Sequence, residues 1–297
     1  MILNASGCLD ALAAPDVARR LDAFVTKTVT PLPREGNAPV RIAETDAGML
    51  NSIGLANPGI DRFLAATLPR LAELAIRLWV SVGGFATDDY ADLCRRLDER
   101  DEVQVIELNL SCPNVEGPEE TVVDIVTAAR ASTGKPLFAK LSAAVPDVAA
   151  TATAAAEAGA DGLSLVNTIR GLALDERTLA PTLATATGGY SGPALRPIAL
   201  AAVFAAYRAT GLPIVGMGGV ETGRHALELI AAGASACALG TVLFADPRAP
   251  GRVRTELAAE SRTHGFETPL AARGASHTIV SSLLSDKTKK PAIASEM

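Results

Sequence analysis

Short apolar runs alternate with longer Ala- and Leu-rich stretches along the chain, and this alternation limits the fold more than any other feature. The runs are Ile2–Ala5, Ala23–Lys27, Leu78–Val82, Val103–Asn109, Pro136–Lys140, Gly162–Asn167, Pro213–Gly216 and Ala236–Leu239. They are nearly continuous in apolar residues, the pattern of strands buried on both faces of a parallel sheet. Between them the spacing predicts helices over Pro15–Asp22, Asp88–Arg100, Glu119–Ser132, Asp147–Gly159, Pro197–Thr210 and Thr222–Ala232. Proline stands near several of their starts, and Gly134, Gly159, Gly211 and Gly233 stand at or just after their ends. Eight such units with no shift in composition predict an α/β chain folded as a single (β/α)8 TIM barrel, with an open doubly wound sheet as the alternative. The barrel is expected over residues 1–265, with a C-terminal helix or tail over 266–297. Two connections, Thr28 to about Asn57 and Thr168 to about Arg196, are too long for turns and are expected as loops over the C-terminal face. The first strand begins almost at Met1, so either the barrel floor is less covered than usual or the chain begins further upstream.

Of 297 residues 48% are hydrophobic but only 4% aromatic, so Ala, Val, Leu and Ile must fill the core. The 27 basic and 33 acidic residues give a net charge of −6, which argues against nucleic-acid or membrane-surface binding. Cys8, Cys94, Cys112 and Cys237 form no CxxC pair, and His225, His264 and His277 are scattered, so no metal motif is present. No secretory leader begins the sequence and charges interrupt every long apolar stretch, so a cytoplasmic protein with no membrane span is expected.

Polar residues and glycines follow nearly every strand: Ser6-Gly7, Lys27-Thr28, Ser81-Val82-Gly83, Asn109, Lys140, Asn167-Thr168, Gly218-Gly219 and Gly240-Thr241. Singly each reads as a cap; gathered at one rim of a barrel they read as a shared site, because a packed core would leave them unpaired. PIVGMGGVETG and GASACALGTVLF each turn through glycine toward a helix, after the strands where barrels commonly hold a phosphate. Two tight turns are the plainer reading, and phosphate binding the preferred one. In ELNLSCPNVEG a strand delivers Asn109 to the rim and Cys112 to a polar loop. A lone cysteine is more often an inert small hydrophobe, but here proton exchange with a ligand is preferred, since no histidine is near to form a nucleophile pair. Lys140 fits a Schiff-base lysine, a counter-charge for an anionic ligand or a salt-bridged structural residue equally well.

Taken together, NASG, KTVTPLPREGN, GMLNSIGLANPG, ELNLSCPNV, Lys140-Leu141, Asn167-Thr168, GGYSGPALRP, GMGG and GT occur in the order of the soluble (class 1) dihydroorotate dehydrogenase family, which the chain resembles from about Leu3 to Ala245. The resemblance implies a TIM barrel that binds FMN and oxidises dihydroorotate to orotate in pyrimidine biosynthesis. It implies that Ser6, Lys27, Thr28, Asn109, Lys140, Val166, Gly192, Gly218, Gly219, Gly240 and Thr241 hold FMN. Lys140 would stand at the flavin N1–C2 edge, where positive charge stabilises the reduced ring. Lys27, Asn51, Ser52, Ile53, Gly54, Leu55, Asn109, Asn114, Asn167 and Thr168 would grip the substrate. Cys112 falls at the catalytic base, taking a proton from C5 while C6 passes a hydride to the flavin.

GGYSGPALRP and NTIRG resemble the NAD-linked type, whose barrel pairs with an FAD and iron–sulfur subunit. PNVEGPEETVVD is nearer the loop of the fumarate-using homodimer, and Ser81 replaces an asparagine of the NAD-linked type. The expected partners are therefore the small-molecule substrate, a second copy of the chain and an electron-transfer subunit if the NAD-linked resemblance holds. A related dihydropyrimidine oxidoreductase, a lyase using Lys140 as a Schiff base and a non-catalytic barrel are the competing readings.

Overall fold

The structure, a computed structural model, describes residues 1–110 and 121–278. Twelve strands lie among them: β1 Ile2–Asn4, β2 Phe24–Val25, β3 Ile42–Thr45, β4 Gly48–Asn51, β5 Leu78–Val82, β6 Val103–Asn109, β7 Leu137–Leu141, β8 Gly162–Leu165, β9 Ile169–Leu172, β10 Thr187–Ser191, β11 Ile214–Met217 and β12 Ala236–Leu239. The α-helices are α1 Pro15–Ala18, α2 Gly59–Arg62, α3 Leu68–Ala72, α4 Thr87–Asp98, α5 Val122–Ala131, α6 Val148–Glu157, α7 Arg196–Thr210, α8 Gly223–Ala231, α9 Val242–Ala245 and α10 Ala249–Thr263. A π-helical turn, Phe63–Thr67, joins α2 to α3. Eight strands form one parallel sheet in the order β1-β12-β11-β8-β7-β6-β5-β2, the expected barrel.

The stop signal at Gly211 acts as read, ending α7 in the left-handed region at φ 66°; the structure adds two N-caps, Asp147 accepting the Ala150 N–H at the start of α6 and Thr222 accepting the His225 N–H at the start of α8. Between α6 and α7 the buried side chains are mostly alanine, Ala152, Ala155, Ala199, Ala202 and Ala206, which lets the two helices lie close against the sheet.

Inside the barrel a separate core holds Leu3, Ala23, Val25, Trp79, Val105, Phe138, Val215, Met217, Ala236 and Ala238. Trp79 and Phe138 lie with ring centroids 4.7 Å apart and are the two aromatic residues of this inner core. A Cβ at Gly162 would stand 2.4 Å from the Phe138 ring, so the glycine makes the room that ring fills.

Between β1 and β2 the backbone supplies only one parallel bridge, Leu3 with Ala23. The fully buried Asn4 side chain completes the junction. Its Oδ1 accepts the Val25 N–H at 2.8 Å, and its Nδ2 donates to the carbonyls of Val25 at 2.7 Å and Ala5 at 3.1 Å. The amide thus stands in for a missing peptide unit in the ladder.

The two long connections are not loops alone. They contribute β3, β4, β9 and β10 to a four-stranded antiparallel sheet in the order β3-β4-β10-β9, in which Asn51 pairs with Gly189. Their strands, IAET, GMLN, IRGL and TGGYS, lack a steady apolar alternation, and the central pairing of β4 with β10 joins segments more than a hundred residues apart in sequence, so local pattern did not reveal them. At the other end, residues 266–278 pack on the ends of α7 and α8. Arg273 donates to the carbonyls of Gly233 and Leu212, and His277 stacks on Phe204.

Replacing Asn4 by leucine, which keeps the volume but cannot pair, leaves the Val25 N–H and C=O buried without partners. We expect a loss of roughly 3 kcal/mol, from about 1–3 kcal/mol per orphaned group, read as a lower urea midpoint with an unchanged slope.

Candidate functional site

Closing the barrel brings all eight strand ends to one rim. There a cavity of about 340 Å³ opens between the rim and the antiparallel sheet. Ser6, Lys27, Thr28, Asn109, Lys140, Val166, Gly192, Gly218, Gly219, Gly240 and Thr241 all line it, as do Asn51, Ile53, Leu55, Asn167 and Thr168. Ser52 and Gly54 are not among the lining residues. Ser52 is buried and accepts from Asn37 at 2.7 Å and from Thr185 at 2.6 Å, while the Gly54 carbonyl accepts from Arg34 at 3.2 Å. These two hold the covering segment together. Cys112 and Asn114 lie outside the described residues.

The polar side chains on the floor form one connected set. Thr28 Oγ1 is the hub, 3.3 Å from Ser6 Oγ, 3.1 Å from Ser81 Oγ and 3.1 Å from the Asn109 amide nitrogen. Ser6 Oγ donates to the Thr26 carbonyl at 2.8 Å, which fixes the direction of the chain of hydroxyls. Asn109 Oδ1 accepts from Asn167 Nδ2 at 3.1 Å, and Asn167 Oδ1 accepts the Thr168 N–H at 2.9 Å. The two amides are therefore oriented before any ligand arrives. Asn51 donates to the Gly189 carbonyl at 3.2 Å, which ties this residue to the sheet above.

The glycine turns form the opposite wall. Thr241 Oγ1 donates to Ser191 Oγ at 3.0 Å, linking the turn after β12 to β10. Behind them Arg252 donates to the Glu221 carbonyl at 3.0 Å and to Asp246 at 2.9 Å, so one guanidinium braces both turns. His225 accepts the Glu221 N–H, and burial together with the Arg196 guanidinium holds its pKa below the ordinary histidine range. Two kinds of glycine meet here. At Gly192, φ is +117° and a Cβ would stand 2.4 Å from the Gly48 Cα; at Gly219, φ is +69° and a Cβ would stand 2.8 Å from the Gly192 carbonyl oxygen. The fold itself demands these. Gly240 has no such demand, since a Cβ there meets only Ala5 Cβ and Cys8 Sγ, both at an ordinary 3.7 Å. A glycine that the protein's own packing does not need, facing a cavity, is the mark of a site built for close approach by a ligand.

Ser191, Met217 and Phe244 line the cavity with no role assigned from sequence, and Cys8, which the sequence offers as a packing residue near the rim, lines it too. Burial pushes the Cys8 thiol above its usual pKa, against the opposing charges of Lys140 and Lys27, so it is a neutral thiol at pH 7. Glu107 was also overlooked. It is buried, and its carboxylate lies 3.8 Å from Lys140 Nζ. Lys140 thus both lines the cavity and takes part in an ion pair, joining two of the three roles open to it. Among the described residues no group of three or more His, Cys, Asp or Glu could hold a metal, and no helix is long and apolar enough to cross a membrane.

The sequence profile of the dihydroorotate dehydrogenase family matches residues 1–260. The chain belongs to that family. It is 43% identical over 264 residues to the catalytic subunit of dihydroorotate dehydrogenase B (NAD(+)) of Desulforudis audaxviator, covering 86% of each chain. It is 44% identical over 244 residues to a protein of Solibacter usitatus provisionally named dihydroorotate dehydrogenase A (fumarate), covering 80% of each. A crystal structure of the Eimeria tenella enzyme in complex with ferulenol superposes with a TM-score of 0.79 at 26% identity, covering 93% of this chain and 85% of that one. The dihydroorotate dehydrogenase barrel is thus common to relatives of differing electron-acceptor type, and the chain is with them an oxidoreductase of a flavin-dependent family.

The two kinds of glycine separate on substitution. In flavin-free protein Gly192→Ala is expected to lower stability by roughly 2–3 kcal/mol, whereas flavin-free Gly240→Ala unfolds at the temperature of the flavin-free wild type; thermal unfolding of the two flavin-free variants checks both.

Proposed function

We propose that the chain oxidises (S)-dihydroorotate to orotate with a bound FMN and with Cys112 as the base. The observation that carries this reading is the convergence, in one cavity of a dihydroorotate dehydrogenase chain, of Lys27, Asn51, Asn109, Lys140 and Asn167 with the two glycine turns. The residues present fit FMN. Gly240 leaves room that packing does not use, the turns at Gly218-Gly219 and Gly240-Thr241 suit a phosphate, and Lys140 supplies buried positive charge beside the cavity. FMN, when bound, supplies the two-electron acceptor for the substrate's C6 hydride.

The chain's own residues do the rest. Lys27 neutralises the substrate carboxylate, and the amides of Asn51, Asn109 and Asn167 meet the donors and acceptors of the pyrimidine ring, with Asn114 and Thr168 completing the set. A ring lacking one of those groups would leave a buried amide unpaired, which is the source of selectivity. Ser52 and Gly54 act through the covering segment, holding Ile53 and Leu55 over the ring to exclude water. Cys112 removes the C5 proton. Cys8, a thiol that lines the cavity, is unsuited to that task because burial keeps it protonated.

A cytoplasmic homodimer that covers the exposed Leu172, Leu174 and Leu179 of the antiparallel sheet region is part of the same reading, as is an electron-transfer subunit carrying FAD and an iron–sulfur centre. A Leu172→Glu, Leu179→Glu double variant is expected to sediment as a monomer where the wild type is a dimer.

The direct test is anaerobic mixing of the purified yellow protein with dihydroorotate, followed at the flavin absorbance band. Rapid bleaching is expected in the wild type and in Cys8→Ala. In Cys112→Ala it slows by about 10²- to 10⁴-fold at neutral pH, the usual worth of a general base. Bound flavin that stays oxidised in the wild type overturns the substrate assignment, and a colourless protein overturns FMN. Gly240→Ala, folded normally, should bind FMN at least about tenfold more weakly, a loss of about 1.4 kcal/mol. Reoxidation by fumarate alone would remove the need for the second subunit; reoxidation by NAD only when that subunit is added would establish it.

A further inference from the structure

Under the cavity floor lies a charge that the mechanism above does not use. Glu107 on β6 and Lys140 on β7 both point into the barrel, with side chains 2% and 6% exposed and Oε1 3.8 Å from Nζ. Only Lys140 lines the cavity. Glu107 Oε1 accepts no hydrogen bond from any described residue, and neither does the buried hydroxyl of Ser164, which stands in register with Lys140 on β8. Val105, two residues earlier on the same strand, belongs to the apolar core with Trp79 and Phe138. An aliphatic side chain at position 107 would continue that core, whereas a carboxylate withdrawn from water and left without a donor at one oxygen weakens it. Packing therefore does not explain Glu107, and among the described residues its one close ionic partner is the lysine at the rim.

We infer that Glu107 is a positioning residue for charge: it offsets Lys140 and so sets how strongly the site favours a reduced, anionic flavin ring. The inference rests on the FMN reading. In a low-dielectric interior a charge acts on its neighbours more strongly than it would through water. Lys140 and Lys27 both act on the Cys8 thiol, so their positive fields meet at this part of the rim. Uncompensated, the two lysines would hold the reduced ring so firmly that passing electrons onward became difficult. A buried anion 3.8 Å behind Lys140 subtracts from that field without entering the cavity or touching the substrate. The arrangement keeps a cation at the ring edge while limiting how far it raises the flavin's reduction potential.

The test uses FMN-loaded protein and measures the flavin midpoint potential by dye equilibration, with sulfite affinity as a second readout, since the sulfite adduct also carries negative charge on the ring. Glu107→Gln removes the charge and keeps the shape; Glu107→Leu removes it with an apolar side chain suited to the barrel interior. Either is expected to shift the reduction equilibrium toward the reduced form about tenfold, roughly 30 mV for a two-electron couple, and to tighten sulfite binding by a similar factor. Glu107→Asp, which retains the charge, should stay within about threefold of wild type. Unchanged potentials in the uncharged variants would overturn the inference, as would a shift in Glu107→Asp equal to theirs. Loss of flavin from both uncharged variants but not from Glu107→Asp would overturn it too, showing that the residue holds the site together rather than tuning it. A wild-type protein that binds no flavin would instead remove the FMN reading, and this inference with it.

Discussion

Everything at the rim depends on the closure of the sheet between β1 and β2. Parallel strands in an open sheet leave an unpaired edge at each side, and the edge strands here, β1 and β2, have only three and two residues. One backbone bridge cannot hold such short strands side by side, and the Asn4 amide adds two hydrogen bonds across the junction, both to Val25, in a site from which water is excluded. With that junction formed, Ser6 reaches the Thr26 carbonyl and the Thr28 hydroxyl across it. The chain of hydroxyls and amides then runs from Ser6 through Thr28 and Asn109 to Asn167 without a gap. An open sheet would instead place Ser6, after β1, and Thr28, after β2, at its opposite edges.

Filling the closed barrel is a problem of volume. With few aromatic residues available, the chain sets Trp79 at a tilt against Phe138 in the interior and uses Gly162 to make space for the second ring. Small residues elsewhere, Ala23, Ala236 and Ala238, complete the layer. Above it the interior turns polar within a single step along two strands, from Val105 to Glu107 on β6 and from Phe138 to Lys140 on β7. The boundary between core and site is thus one residue pair thick, which explains how Glu107 can be almost fully buried and still lie within ionic reach of a lining lysine.

How far the sequence discloses this arrangement differs by residue. The barrel strands are legible because burial on both faces writes a continuous apolar run, and the helix ends at Gly211 and Thr222 because caps follow local rules. The rim residues are legible from their position after those runs. The antiparallel sheet is not, because β4 and β10 acquire their meaning only from each other, and Gly188 and Gly189 carry no strand preference of their own. Helices α2 and α3 and the α10 segment carried weaker signals, the first pair being divided by a π-helical turn and a proline at Pro69. Glu107 was hidden for a different reason. A carboxylate in an apolar strand reads as a solvent-facing position, and only the barrel's inward alternation, shared with Val105 and Asn109, puts it beside Lys140.

The same alternation argues for a division of labour at the site. Residues pointing inward from the strands, Lys27, Asn109 and Lys140, are anchored by the barrel and cannot shift without disturbing its interior. Asn51, Ile53 and Leu55 belong to a segment anchored by side chains of its own, through Asn37 with Ser52, Arg34 with Gly54 and Thr185 with Ser52. Arg34 also stacks over Phe85 at 4.7 Å, joining that segment to the loop before α4. A rigid floor carrying the charges and a separately braced roof carrying apolar contacts suit a reaction in which the ring must be held flat while its edge is deprotonated. The fixed charges do not have to move, so little reorganisation accompanies the change in charge on the ring, and that is where an electrostatic site gains most over water.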